Sequence, residues 1–151
     1  MSTGDITPTV NGKAGPEILA LTGARLQVQI EVTAILAGQL QKTGKPIPNP
    51  ISGHALIDTG SPITCVDIRT AVQKLGLEPT GVTEDEYGHG PERKIRAIYT
   101  VRVVFPGINL GPFDPCDAAG LEMEPIMILG RDILKNFVFT YNGPQGNFRL
   151  D

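Results

Sequence analysis

The sequence is poor in aromatic residues, in net charge and in cysteine, and it contains no tryptophan. Phe and Tyr together make 5% of 151 residues, the formal net charge is −3, and Lys and Arg are scattered without clusters. A duplex-binding surface needs concentrated cations to release counterions, and a single-strand platform needs stacked aromatics. Neither is present, so nucleic acid is not expected as a partner. The two cysteines, Cys65 and Cys116, show no metal-ligand spacing with the two histidines, His54 and His89. No metal or other cofactor is expected, and both thiols are read as reduced. No apolar run approaches the roughly 18 residues that span a bilayer. The opening MSTGDITPTVNGKAG lacks the basic end and apolar centre of a signal peptide. These absences point to a cytoplasmic chain with no membrane segment.

Turn-forming residues are abundant. The chain has 18 glycines and 13 prolines, about a fifth of all residues against an average of roughly 12%. That excess favours short strands joined by many turns over a helical bundle. The length suits one domain, able to bury roughly 70% of its unfolded surface without a disulfide or metal staple. Residues 1–23 read as a flexible leader and residues 24–151 as the domain.

Within that domain Leu26, Val28, Ile30 and Val32 alternate with Gln27, Gln29 and Glu31, the period of a half-buried strand. Pro46, Pro48 and Pro50 then mark a loop. Strands are expected over 51–58 and 63–66. Asp67 can cap a helix over 68–75, with Ile68, Val72 and Leu75 inward and Gly76 as its stop. Residues 78–94 are polar, 95–105 alternate again, and 106–125 read as loop because of Pro106, Pro112, Pro115 and Pro125. Residues 126–129 form a continuous apolar run, 130–137 a short helix, and the remainder a hairpin around Asn142-Gly143-Pro144. The expected fold is mainly β, a small closed barrel or folded sheet with one or two short helices.

The chemistry concentrates in ALIDTGSPITCV, residues 55–66. An apolar strand delivers one carboxylate, Asp58, into a tight turn. Thr59 follows with a hydroxyl, Gly60 with no Cβ to obstruct an approaching chain, and Ser61 with a further hydroxyl. Hydrogen bonds to the ionised carboxylate would offset the cost of apolar surroundings. About seventy residues later comes IMILGRDIL, an apolar strand, then glycine, then a short helix.

The two blocks, Leu56-Ile57-Asp58-Thr59-Gly60-Ser61 and Ile128-Leu129-Gly130-Arg131-Asp132, resemble those of the retropepsin-like aspartic proteases, the single-domain family of retroviral proteases and bacterial relatives. The resemblance implies a bacterial-type member in which this chain is half of an enzyme. Asp58, Thr59 and Gly60 would form the catalytic loop, and residues 128–132 the structural block behind it. Thr59 would bond across the pair, and Ser61 would donate to the Asp58 carboxylate and help bind substrate. A flap is expected over about 84–97, with Tyr87, Gly88, His89 and Gly90 at its tip against the substrate. Only one such acid occurs in the chain; Asp117-Ala118-Ala119-Gly120 lacks the threonine and the apolar lead-in. A second copy would therefore supply the second carboxylate, making a homodimer that hydrolyses peptide bonds in a polypeptide substrate. Alternatives are a catalytically silent dimeric peptide-binding module and a self-processing protease with one narrow partner. One departure stands out: no acid follows the catalytic triplet to pair with Arg131, whose partner is expected among Asp67, Asp132 and Asp151.

Overall fold

A computed structural model describes residues 4–7, 9–10, 13–85 and 94–151. In chain order the elements are β1 (Gly4–Ile6), β2 (Thr9–Val10), β3 (Lys13–Ala14), α1 (Pro16–Thr22), β4 (Arg25–Glu31), α2 (Ala34–Lys42), β5 (Ile51–Ile57) and β6 (Cys65–Asp67). A wide π-type turn, Ile68–Val72, then runs into α3 (Gln73–Leu75). It is followed by β7 (Gly81–Asp85), β8 (Lys94–Val104), β9 (Phe113–Leu121), β10 (Met127–Leu129), α4 (Arg131–Leu134), β11 (Phe139–Asn142) and β12 (Asn147–Leu150).

The fold is mainly β, and its centre is a closed six-stranded barrel. Strands β4, β5, β10, β6, β9 and β8 pair in that order, and β8 returns to β4 through Ile30 opposite Val103. β7 is added to β8 as the outer strand of a hairpin. The alternation seen in the sequence fills the interior: Leu26, Val28 and Ile30 from β4, Ala55 and Ile57 from β5, Val101 and Val103 from β8, and Met127 and Leu129 from β10 are all buried. Closure leaves only one face of each strand for solvent, so the inward positions become a continuous apolar core.

A smaller antiparallel sheet, β1–β12–β11, packs at one side of the barrel. Its inner residues Phe148 and Leu150 are fully buried in the same core. Asp67 caps the turn that follows β6, accepting from Thr70 N–H at 3.1 Å, and Gly76 ends α3 in the left-handed region at φ 64°. Both were expected from the sequence.

Two expectations are corrected. Within the stretch read as a leader, 1–23, described residues pack on the barrel. β1 pairs along β12, and α1 drives Leu19, fully buried, into the barrel core. The chain at Gly15–Pro16 crosses Gly146 so closely that a Cβ on Gly146 would collide with it. The proline loop over 43–50 is as expected, but ahead of it lies a helix, α2, that the sequence reading did not foresee. Thr33 caps α2 by accepting from Leu36 N–H at 3.2 Å, and Asp114 accepts from Ala34 N–H at 3.0 Å. Finally, the proline-rich stretch 106–125 contains a central strand, β9. Its Pro115 is tolerated because the β8–β9 register slips between Val101 and Val103. Proline has no N–H to give a ladder, and at a bulge none is required. Arg102 sits at that slip and bridges Glu31 and Asp114, each at 3.3 Å.

The place of α1 is directly testable. Leu19→Ala removes most of a fully buried side chain and should lower stability by about 2–5 kcal/mol. Urea unfolding should show a lower midpoint with an unchanged slope. A midpoint equal to wild type would mean that α1 does not belong to the core.

Candidate active site

The site is built where two parallel strands end side by side. β5 and β10 run in register with Leu56 opposite Ile128 and Ile57 opposite Leu129. The ladder continues one step further, as Asp58 N–H donates to Leu129 O at 3.0 Å. The chain then turns sharply. Ser61 N–H donates to Asp58 O at 3.2 Å, and Gly60 N–H donates to Asp58 Oδ1 at 2.9 Å. The Asp58 carboxyl is thus fixed by its own turn, and it remains only half-buried.

The second block clamps this turn from behind. Arg131 N–H donates to Ser61 O at 2.8 Å and Asp132 N–H to Pro62 O at 3.2 Å. The Asp132 carboxylate accepts from Thr64 N–H at 3.0 Å, from the Thr64 hydroxyl at 2.8 Å and from Ile133 N–H at 2.9 Å. The same hydroxyl accepts from Gly130 N–H at 3.2 Å. Thr64 is fully buried, and every polar atom of its side chain is engaged. Gly130 passes directly against the Ile63–Thr64 peptide, where any Cβ would strike the Ile63 backbone. That crossing is why the block needs glycine at this position.

Two side chains differ from expectation. The Ser61 hydroxyl donates to Ile63 O at 2.7 Å, not to the Asp58 carboxylate. Its single proton is spent on holding the turn. Among the described residues Arg131 pairs with no acid, neither Asp67, Asp132 nor Asp151: its Nη1 donates to Thr59 O at 2.7 Å, so the guanidinium braces the backbone of the turn next to Asp58. The Thr59 residue itself is exposed.

Asp58 opens onto a cleft of about 460 Å³. Its floor follows from strand register. Ile128 on β10 lies beside Cys65 on β6, Cys65 beside Ala119 on β9, and Ala119 beside Ile98 on β8. Paired residues share a face, so Ile128, Cys65 and Ala119 form an apolar row, joined by Ile63, Pro62 and Leu121. Thr83, Glu84 and Arg96 from the β7–β8 hairpin complete the lining. The stretch expected as a flap, about 84–97, falls within this hairpin, whose two strands are paired from Gly81–Ile98 to Asp85–Lys94. Its tip, with Tyr87, Gly88, His89 and Gly90, lies outside the described residues.

Sequence reading missed Thr64 and the hairpin residues Thr83 and Arg96. A signal existed for each: Thr64 is the polar interruption of the apolar run ITCV, and Arg96 sits out of phase with the core-facing positions of β8. Among the described residues no three His, Cys, Asp or Glu converge as a metal cluster. Cys65 and Cys116 are both buried and unbridged. Burial, with the nearby Asp132 and Asp117 carboxylates, pushes the Cys116 thiol up to about 12, so it is a poor nucleophile at neutral pH.

No family profile and no curated protein matches this sequence. Among solved structures the chain is similar to the crystal structure of a retropepsin-like aspartic protease from Rickettsia conorii. The two are 18% identical, with a TM-score of 0.48, over 97% of this chain and 87% of that one. Among the described residues no helix is long and apolar enough to cross a membrane.

Two substitutions test the clamp and its surroundings. Asp132→Ala leaves the Thr64 N–H, the Thr64 hydroxyl and the Ile133 N–H without their acceptor. It should cost about 2–4 kcal/mol, read as a fall in melting temperature. A change within error would show that the loop holds without it. Asp67 tests pH dependence. Burial alone would raise its pKa, but Met123 N–H, the Thr70 hydroxyl and N–H, and the Arg69 charge outweigh burial and hold it below 3.8. A carboxylate depressed on folding contributes fully above its ordinary value and loses that contribution as pH falls through the folded value. Asp67→Asn should therefore flatten the loss of stability below about pH 4 while lowering stability at neutral pH. Parallel acid-unfolding curves for the two proteins would contradict this.

Proposed function

We propose that this chain is one half of an aspartic endopeptidase, completed by a second copy of itself. The observation that carries the reading is Asp58: a carboxyl at the end of a buried strand, its Oδ1 anchored by Gly60 N–H at 2.9 Å, its turn clamped by residues 130–132, and an apolar-floored cleft of about 460 Å³ beside it. An acid held this rigidly next to open space is suited to chemistry more than to packing.

Amide hydrolysis by water needs one group to accept the water proton and another to donate to the carbonyl oxygen. One carboxyl cannot do both at once. Two Asp58 carboxyls facing each other across a two-fold axis can, because close like charges cannot both ionise and the pair retains one proton. The ionised member takes a proton from the water as its oxygen bonds to the carbonyl carbon. The protonated member gives its proton to the carbonyl oxygen, forming a neutral tetrahedral diol. Collapse of the diol breaks the C–N bond: one diol hydroxyl returns its proton to the carboxylate that had given one, leaving the acid product, and the proton taken from water passes to the departing amine, so the pair again holds one proton. Thr59, Gly60 and Ser61 line the path of the peptide, and the β7–β8 hairpin, with Tyr87, Gly88, His89 and Gly90 between its strands, forms the flap that covers it.

The purified chain should cleave denatured protein at acidic pH, and Asp58→Asn should lower kcat/KM by about 10²–10⁴-fold or more. Dimer dependence has its own readout. If wild-type and Asp58→Asn chains are co-refolded in equal amounts, about a quarter of random dimers keep two intact acids. Activity should fall to that fraction of an equal amount of unmixed wild-type protein. A fall only to one half would mean that each chain works alone.

A further inference from the structure

Among the described residues that line the cleft, two are acids, Asp58 and Glu84, and one is a cation, Arg96. On the β7–β8 hairpin Thr83 pairs with Arg96, while Val82 pairs with Ala97 and Glu84 with Ile95. Directly paired residues share a face and neighbours alternate. One face therefore carries Thr83 and Arg96, and the other Val82, Glu84 and Ile95. Exposure says which face looks where: Val82 and Ile95 are 71% and 72% exposed, whereas Thr83 and Arg96 are half-buried. Arg96 is also two residues from Ile98, which lies beside Ala119 in the row that makes the cleft floor. Arg96 thus stands on the cleft side of the hairpin, over an apolar floor, in the same cavity as Asp58.

We infer that Arg96 selects peptides carrying an acidic side chain, Glu or Asp, beside the bond to be cut. The inference rests on the reading of this cleft as a peptide site. A cleft containing an acid pair with one shared proton is negative, and alone it would repel an acidic substrate. A guanidinium on the wall reverses that local preference, and its five N–H donors let it keep a contact within its own chain while still meeting a carboxylate fork-to-fork. The apolar floor takes the methylene part of a Glu side chain, and low water content near the floor strengthens the charge pair relative to an exposed one. Glu84 also lines the cleft, so a substrate carboxylate meets Arg96 beside an acid of the chain itself, and the several donors of one guanidinium can serve both.

The test walks a single Glu, Gln or Lys through an uncharged, apolar octapeptide. Binding to the full-length Asp58→Asn chain is read by fluorescence anisotropy, and cleavage is read with wild type. At one position or more, Glu should be favoured over Gln by about tenfold in Kd and in kcat/KM. The ratio should shrink in high salt and vanish as the substrate Glu protonates below about pH 4.3. Arg96→Gln should bring the Glu/Gln ratio to about one, Arg96→Glu should turn the preference towards Lys, and Arg96→Lys should restore part of it. Each ratio is taken within one variant, so a loss of overall stability does not imitate the result. Cleavage of the apolar peptides with no charge preference at any position would overturn this inference and leave the endopeptidase reading intact. A Glu preference in binding that depends on Arg96, with no cleavage by wild type, would support the inference and overturn catalysis. A Glu preference unchanged in Arg96→Gln would assign the selection elsewhere.

Discussion

The site depends on one close crossing of backbone. Gly130 lies so near the Ile63–Thr64 peptide that no side chain fits between them. The contact allows Thr64 and Asp132 to lock four hydrogen bonds around it. From that lock the rest follows: Ser61 and Pro62 receive the N–H groups at the start of α4, the turn between them and Asp58 loses its freedom, and the carboxyl is aimed by short covalent connection instead of by partners on distant loops. Orientation is set by elements buried in the barrel, so it is a property of the folded chain itself.

Arg131 shows how the same problem can be solved with different chemistry. A carboxylate partner would have given it a charge pair, but at an exposed position such a pair contributes little. The Thr59 carbonyl offers a charge-assisted hydrogen bond at 2.7 Å to the backbone of the loop itself. The brace therefore acts on the residue next to Asp58, with no intermediate side chain whose rotamers would need ordering.

Much of this was legible in the sequence where a pattern has one physical cause. Alternation in β4 and β8, the Asp67 cap and the Gly76 stop all appear where spacing predicted them. The two apolar strands leading to Asp58 and Gly130 were legible as two blocks through the family resemblance, whereas their lying side by side as a parallel pair was not. What could not be read were consequences of tertiary placement. Proline argued against β9, yet a register slip opposite Arg102 removes the need for its N–H. The polar start of the chain argued for a leader, yet Leu19 alone carries α1 into the core. The Ser61 hydroxyl had two acceptors within reach, and only the turn geometry decides for Ile63 O over Asp58.

Barrel closure has a consequence for how the molecule meets other chains. Pairing β4 to β8 satisfies the ladder groups of strands that would otherwise form open borders, and such borders are where extended polypeptides stack into aggregates. Among the described residues of that sheet, the strand left with an unpartnered side is β7, and it belongs to the hairpin beside the cleft. The barrel therefore denies stray strands a template around most of its circumference, and its open ladder lies at the rim of the cleft.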